Sequence, residues 1–153
     1  MSHPPLPTPG PDLPAARVAE IGGVVARVTA WAASRADVAG LLLVGSCARG
    51  AARTSSDIDL VLLVADVSAF GGDAWARGLG LPLPVRTRWW GAIQERRFAT
   101  SSGLEVEFGI GTPSWAATEP VDPGTRRVVE DGALVLHDPV GLLAALTAAC
   151  RRG

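Results

Sequence analysis

The chain has 153 residues, 48% of them apolar, and a formal net charge of −1. That suffices for one domain around a single core, and it excludes extensive disorder and a global basic field able to draw in nucleic acid. Its 14 basic residues are all arginines, a bias that GC-rich codons explain. The two distant cysteines, Cys47 and Cys150, give neither a disulfide framework nor a zinc spacing.

Residues 1–14 are Pro-rich and are expected to be an extended, disordered leader ahead of a single domain over 15–153. No signal-peptide pattern and no apolar run of membrane-spanning length occurs, so a cytoplasmic, membrane-free protein is expected. From Ala15 to about Arg35, Val18, Ile21, Val25, Val28 and Trp31 recur at steps of three and four, which predicts an amphipathic helix. GLLLVG (40–45) predicts a buried strand, followed by a turn at Gly45-Ser46 and a short helix over 47–52 with Cys47 half-exposed. DIDLVLLV (57–64) predicts a second buried strand. Residues 68–78, with Trp75, predict a short helix ended by glycines. Strands are then expected near 85–91, 94–100 and 104–110, the last two joined by a Ser101-Ser102-Gly103 turn. One of the adjacent Trp89 and Trp90 is expected in the core, and Trp115 as a core anchor. A turn and short helix at DPGTRR, a strand over 133–137 and an apolar helix over 139–150 complete the chain. The order predicts an α/β fold, a small mixed sheet flanked by helices.

Side chains alternate along a strand, so Asp57 and Asp59 share a face opposite Ile58, Leu60, Leu62 and Val64. Such neighbours lie roughly 6.7 Å apart along the strand. Paired catalytic metal ions sit about 3.5–4 Å apart, so converging carboxylates have the reach to hold them. Without a cation the two like charges repel and one carboxyl pKa rises. In LEVEFGI, Glu105 and Glu107 also share a face, and at least one of them is expected to face the aspartates. Either glutamate could instead pair with Arg96 or Arg97 across the hairpin. Arg86 and Arg88 share a strand face and could balance the acids or meet phosphate. Gly45-Ser46, at a strand end opening a helix, presents free backbone N–H groups; Arg49 stands one turn on, and Gly50 permits a tight bend.

GSCARGAARTSSDIDLVLLV (45–64) resembles the signature of the DNA polymerase β-like nucleotidyltransferase superfamily: Gly-Ser, a few residues, Gly, then Asp-x-Asp on the next strand. Its form is most similar to the minimal and antibiotic-type members, and LEVEFGI extends the likeness. The resemblance implies a nucleotidyltransferase (polymerase β palm-like) fold and an enzyme that moves a nucleoside monophosphate from an NTP, expected to be ATP, to a hydroxyl with release of pyrophosphate. It implies that Gly45, Ser46, Arg49, Gly50 and Ser56 bind the nucleotide. Asp57 and Asp59 would hold two Mg²⁺, with Glu105 or Glu107 as third carboxylate, either metal ligand or general base. The acceptor stays open among a small molecule, RNA and protein, because only about 40 residues follow the hairpin where antibiotic-modifying relatives carry a helical acceptor domain. A partner protein or second copy could complete that surface. The alternative implied is an antitoxin-type member acting by binding or modifying a partner.

Overall fold

The apolar stripe of the first segment becomes α1 (Ala15–Ala33), which buries Ile21, Val24, Val25, Val28 and Ala32 against one face of a sheet. This computed structural model describes residues 5–7 and 12–152. Most of the leader, His3 included, lies outside the described residues. Of its described part, Leu13 is buried and Leu6 packs against the core.

After α1 the chain runs through β1 (Val38–Val44), α2 (Gly45–Arg49), β2 (Ile58–Val64), α3 (Ala74–Arg77), β3 (Leu83–Trp90), β4 (Ile93–Ala99), β5 (Glu105–Gly111), α4 (Pro123–Glu130), β6 (Ala133–His137) and α5 (Leu142–Arg152). The strands form one mixed sheet ordered β3-β4-β5-β2-β1-β6. β2 and β5 run parallel at its centre, and the other neighbours pair antiparallel. The expected α/β architecture is the one observed.

One face of the sheet is covered except along β3, which is exposed throughout. Ile58, Leu60, Leu62, Val106, Phe108 and Ile110 meet α1 there, and Trp75 stacks on Trp31 at 5.6 Å while meeting Phe108 edge-on at 5.0 Å. The other face is covered only in part. Leu143, Leu146 and Cys150 of α5 bury Leu42, Val61 and Leu63. Beyond them, toward the start of β2 and β5, this face is open.

Three local expectations are corrected. The helix expected over 68–78 is a 3₁₀ turn (Val67–Phe70) followed by the single turn α3. Gly71 and Gly72 interrupt it, and Arg96 fills the break by donating to the Phe70 and Gly72 carbonyls at 2.6 and 3.1 Å and pairing with Asp73. Trp89 and Trp90 are both 58% exposed, so neither is core, because β3 is the outermost strand. Cys47 is buried rather than half-exposed.

Candidate active site

The parallel register of β2 and β5 answers which glutamate meets the aspartates. Asp59 lies directly opposite Glu107, with Ile58 opposite Val106. One carboxylate oxygen from each of Asp57, Asp59 and Glu107 lies within 4.8 Å of the others. Glu105 shares the face but lies farther out; it is not in this triad and instead receives a 2.9 Å hydrogen bond from Arg97.

The preceding turn is shaped around Asp59. Gly45 follows β1 directly and has φ +73°, and a Cβ there would sit 2.5 Å from Asp59 Oδ2. Only glycine meets both conditions, a left-handed backbone and a carboxylate against its α-carbon. Gly50 ends α2 in the left-handed region at φ 70°, turning the chain toward β2. Cys47 ties α2 to the site, its thiol donating to the Asp57 carbonyl at 3.6 Å.

The other expected nucleotide contacts are spread around this turn. Ser46 follows Gly45 in α2, half-buried. Arg49 crosses to the far wall, donating to the Asp131 carbonyl at 3.2 Å. Ser56 is engaged in its own loop, its hydroxyl accepting from the Arg53 N–H at 2.8 Å. A cleft of about 390 Å³ opens above the acids, and Gly45, Arg49, Asp59, Glu107, Trp90 and Trp115 line it. Trp115 thus forms cleft wall as well as packing against the α5 cluster.

Electrostatics follow from crowding. Burial, and then the charges of Asp57 and Glu107, push the Asp59 carboxyl up to about 7. Burial, with Asp59 and Asp57 nearby, raises the Cys47 thiol to about 11, so it is inert at neutral pH. Basic residues of β3 and β4 oppose the acids. Arg97 Nη1 donates to Asp57 Oδ2 at 2.5 Å, and Nη2 to Glu107 Oε1 at 2.8 Å. Arg86 reaches Glu107 at 3.2 Å, and Arg88 reaches Glu95 at 2.7 Å.

Glu95 is a further acid on the cleft wall, bonded by Arg88 and by the Trp90 indole N–H at 3.0 Å. Sequence reasoning missed it. The signal was available in the alternation of IQERRFA, which puts Glu95 and Arg97 on one face and the buried Gln94, Arg96 and Phe98 on the other.

The donor set suits a hard divalent cation. It consists of carboxylate oxygens, which Mg²⁺ prefers at about 2.1 Å. Two such ligands on opposite sides of one ion stand about 4.2 Å apart, so the 4.8 Å spread needs only small side-chain adjustment. Burial first, and then the charges of Asp57 and Glu107, disfavour the ionised Asp59 carboxylate, a penalty that such an ion would relieve.

A mixed α/β sheet carrying three convergent carboxylates beside a Gly-Ser turn defines an acidic, phosphate-compatible site at the centre of one sheet face. A family model described as a nucleotidyltransferase domain matches residues 29–99, from the end of α1 through β4. Over that stretch the chain is similar to nucleotidyltransferase domains. The matched stretch holds Gly45, Ser46, Asp57 and Asp59 and stops before Glu107. Among solved structures, that of a cytoplasmic RNA terminal U-transferase is similar at 17% identity and a TM-score of 0.49, over 65% of this chain and 30% of that one. The chain therefore spans less than a third of that enzyme's length. No curated protein matches the chain. Among the described residues, no helix is long and apolar enough to cross a membrane.

Proposed function

We propose that the protein is a nucleotidyltransferase that moves a nucleoside monophosphate from an NTP to a hydroxyl acceptor, releasing pyrophosphate. The observation that carries this reading is the convergence of Asp57, Asp59 and Glu107 beside Gly45, within and just beyond the stretch matching the family. ATP is the nucleotide expected, and Mg²⁺ the ion.

Asp57, Asp59 and Glu107 would hold the ions, which when bound neutralise the phosphates and the charge that develops as pyrophosphate leaves. Gly45 and Ser46 stand at the turn into α2, where backbone N–H groups can meet a phosphate. Arg49, on the opposite wall, adds a planar donor suited to phosphate oxygens. Trp90 and Trp115 give the cleft flat apolar walls against which a base or sugar can rest. Glu107 or Glu105 would take the proton from the attacking hydroxyl. Glu107 is the better placed of the two because it lies opposite Asp59 in the register.

The test is calorimetric titration of the whole chain with a non-hydrolysable ATP analogue, with and without Mg²⁺. Binding is expected only with Mg²⁺, and is expected to vanish in Asp57→Asn/Asp59→Asn. Binding that survives both metal removal and the double substitution would overturn the reading.

A further inference from the structure

Across the middle of the sheet, three residues on neighbouring strands stand side by side: Arg97 on β4 is directly opposite Glu107 on β5, and Glu107 is directly opposite Asp59 on β2. Alternation puts all three on the open face. Arg97 is therefore held among the acids by the strand register, and not by a mobile loop. Its side chain is only 15% exposed. One guanidinium spans three carboxylates, with Nη1 on Asp57 and Glu105 and Nη2 on Glu107. Two of those three belong to the triad whose oxygens fit a divalent ion. Arg86 also reaches Glu107 Oε1, at 3.2 Å, but it touches no aspartate of the triad. Arg86 and Arg88 are more exposed, and Arg88 pairs with Glu95, outside the triad.

We propose that Arg97 is the built-in counter-cation of this site: it holds Asp57 and Glu107 in the ion-free protein, weakens the binding of a free divalent ion, and gives up those carboxylates when an ion enters. The proposal rests on the reading that the triad takes a divalent ion. An ion about 2.1 Å from oxygens that also accept from Arg97 would bring two positive centres within about 4 Å, where repulsion is strong in a half-buried cleft. The guanidinium must then draw back, and it needs a new anion. The nucleotide's own phosphates are the natural candidate, since a planar fork suits them. Arg97 thereby couples the two ligands. A free ion meets the full repulsion, whereas an ion arriving with a triphosphate brings the anion that receives the displaced arginine. Such coupling is reciprocal.

The experiment measures Mn²⁺ binding to the purified full chain without nucleotide, from the electron paramagnetic resonance signal of the free aqueous ion. Arg97→Gln is expected to bind Mn²⁺ about tenfold or more tightly than wild type, because a neighbouring positive charge is gone. Arg97→Lys keeps the charge but not the three-way bridge, and should fall between. Arg88→Gln should stay within about twofold of wild type, since its partner Glu95 lies outside the triad. A second readout needs no variant fold. In wild type, the hydrogen-bonded guanidinium protons of Arg97 should exchange slowly with water by NMR, and saturating Mg²⁺ should speed that exchange. Wild-type binding with Arg97→Gln equal or weaker overturns the role of Arg97 alone, as does an Arg97 signal indifferent to Mg²⁺. Absence of Mn²⁺ binding in both wild type and Arg97→Gln overturns this proposal together with the metal reading, because a site stripped of its counter-cation should attract a cation most strongly.

Discussion

The face of β2 that carries the aspartates is two surfaces in one. Toward its start stand Asp57 and Asp59, with Asp59 lining an open cleft; two and four residues beyond Asp59, Val61 and Leu63 on the same face are sealed under α5. Backbone, register and alternation are continuous between the two halves. What differs is the cover. Where α5 lies across the strands, side chains are apolar and stability comes from burial. Where it does not, five acids and three arginines share a half-buried surface, and stability is given up to like-charge repulsion. Stability is thus built in one half and surrendered in the other.

Substitutions can break this comparison. The largest loss of stability should come from the covered half. Leu146 is fully buried among Leu42, Val61 and Leu63, so Leu146→Ala removes transfer energy and leaves a cavity. A loss of about 2–5 kcal/mol is expected, read by chemical denaturation, with Mg²⁺ affinity of the folded protein unchanged. Altered Mg²⁺ affinity would show that the halves are not independent.

Gly45→Ala comes next and touches the open half. The backbone at φ +73° disfavours any side chain, and the new methyl would meet Asp59 Oδ2 at 2.5 Å. Strain of about 1–3 kcal/mol is expected. The carboxylate must move away from Glu107, so Mg²⁺ affinity should fall even where the protein remains folded. Retained affinity with lowered stability would mean that Asp59 has room to adjust.

The two halves were not equally legible in the sequence. β1 and β2 announced themselves as short apolar runs and β5 as an alternating hairpin strand, and alternation alone put Asp57 with Asp59 and Glu105 with Glu107. Alternation could not choose between the glutamates, because both have the same parity. That choice rests on the parallel register of β2 and β5, a long-range pairing with no local signal. The exposure of Trp89 and Trp90 was hidden for a related reason: nothing in LPVRTRWW says that its strand is outermost. Two glycines did signal the break in the segment after β2, but the arginine that fills it lies 24 residues beyond Gly72. Arg97 and Glu95 were written plainly in the alternation of β4, yet their meeting with β2 required the sheet order.

The smallest expected effect sharpens the comparison through pH. Burial and two neighbouring acids lift the folded-state Asp59 carboxyl from its ordinary value of 3.8 to about 7. Between those values the folded protein binds a proton that the unfolded chain has released. Stability of the ion-free protein should therefore rise as pH falls from about 8 through 7 and level off near 4. The size of the gain is limited because the group is partly solvated and screened. Mg²⁺ needs the ionised carboxylate, so its affinity should climb as pH rises through 7, with proton uptake by buffer on binding below that point. Melting temperatures measured from pH 5 to 9 should slope downward without Mg²⁺ and lose that slope when Mg²⁺ is saturating. Asp59→Asn should flatten the ion-free curve while leaving the contribution of Leu146 unchanged. A slope that survives Asp59→Asn would move the titrating group elsewhere and remove the energetic contrast between the two ends of β2.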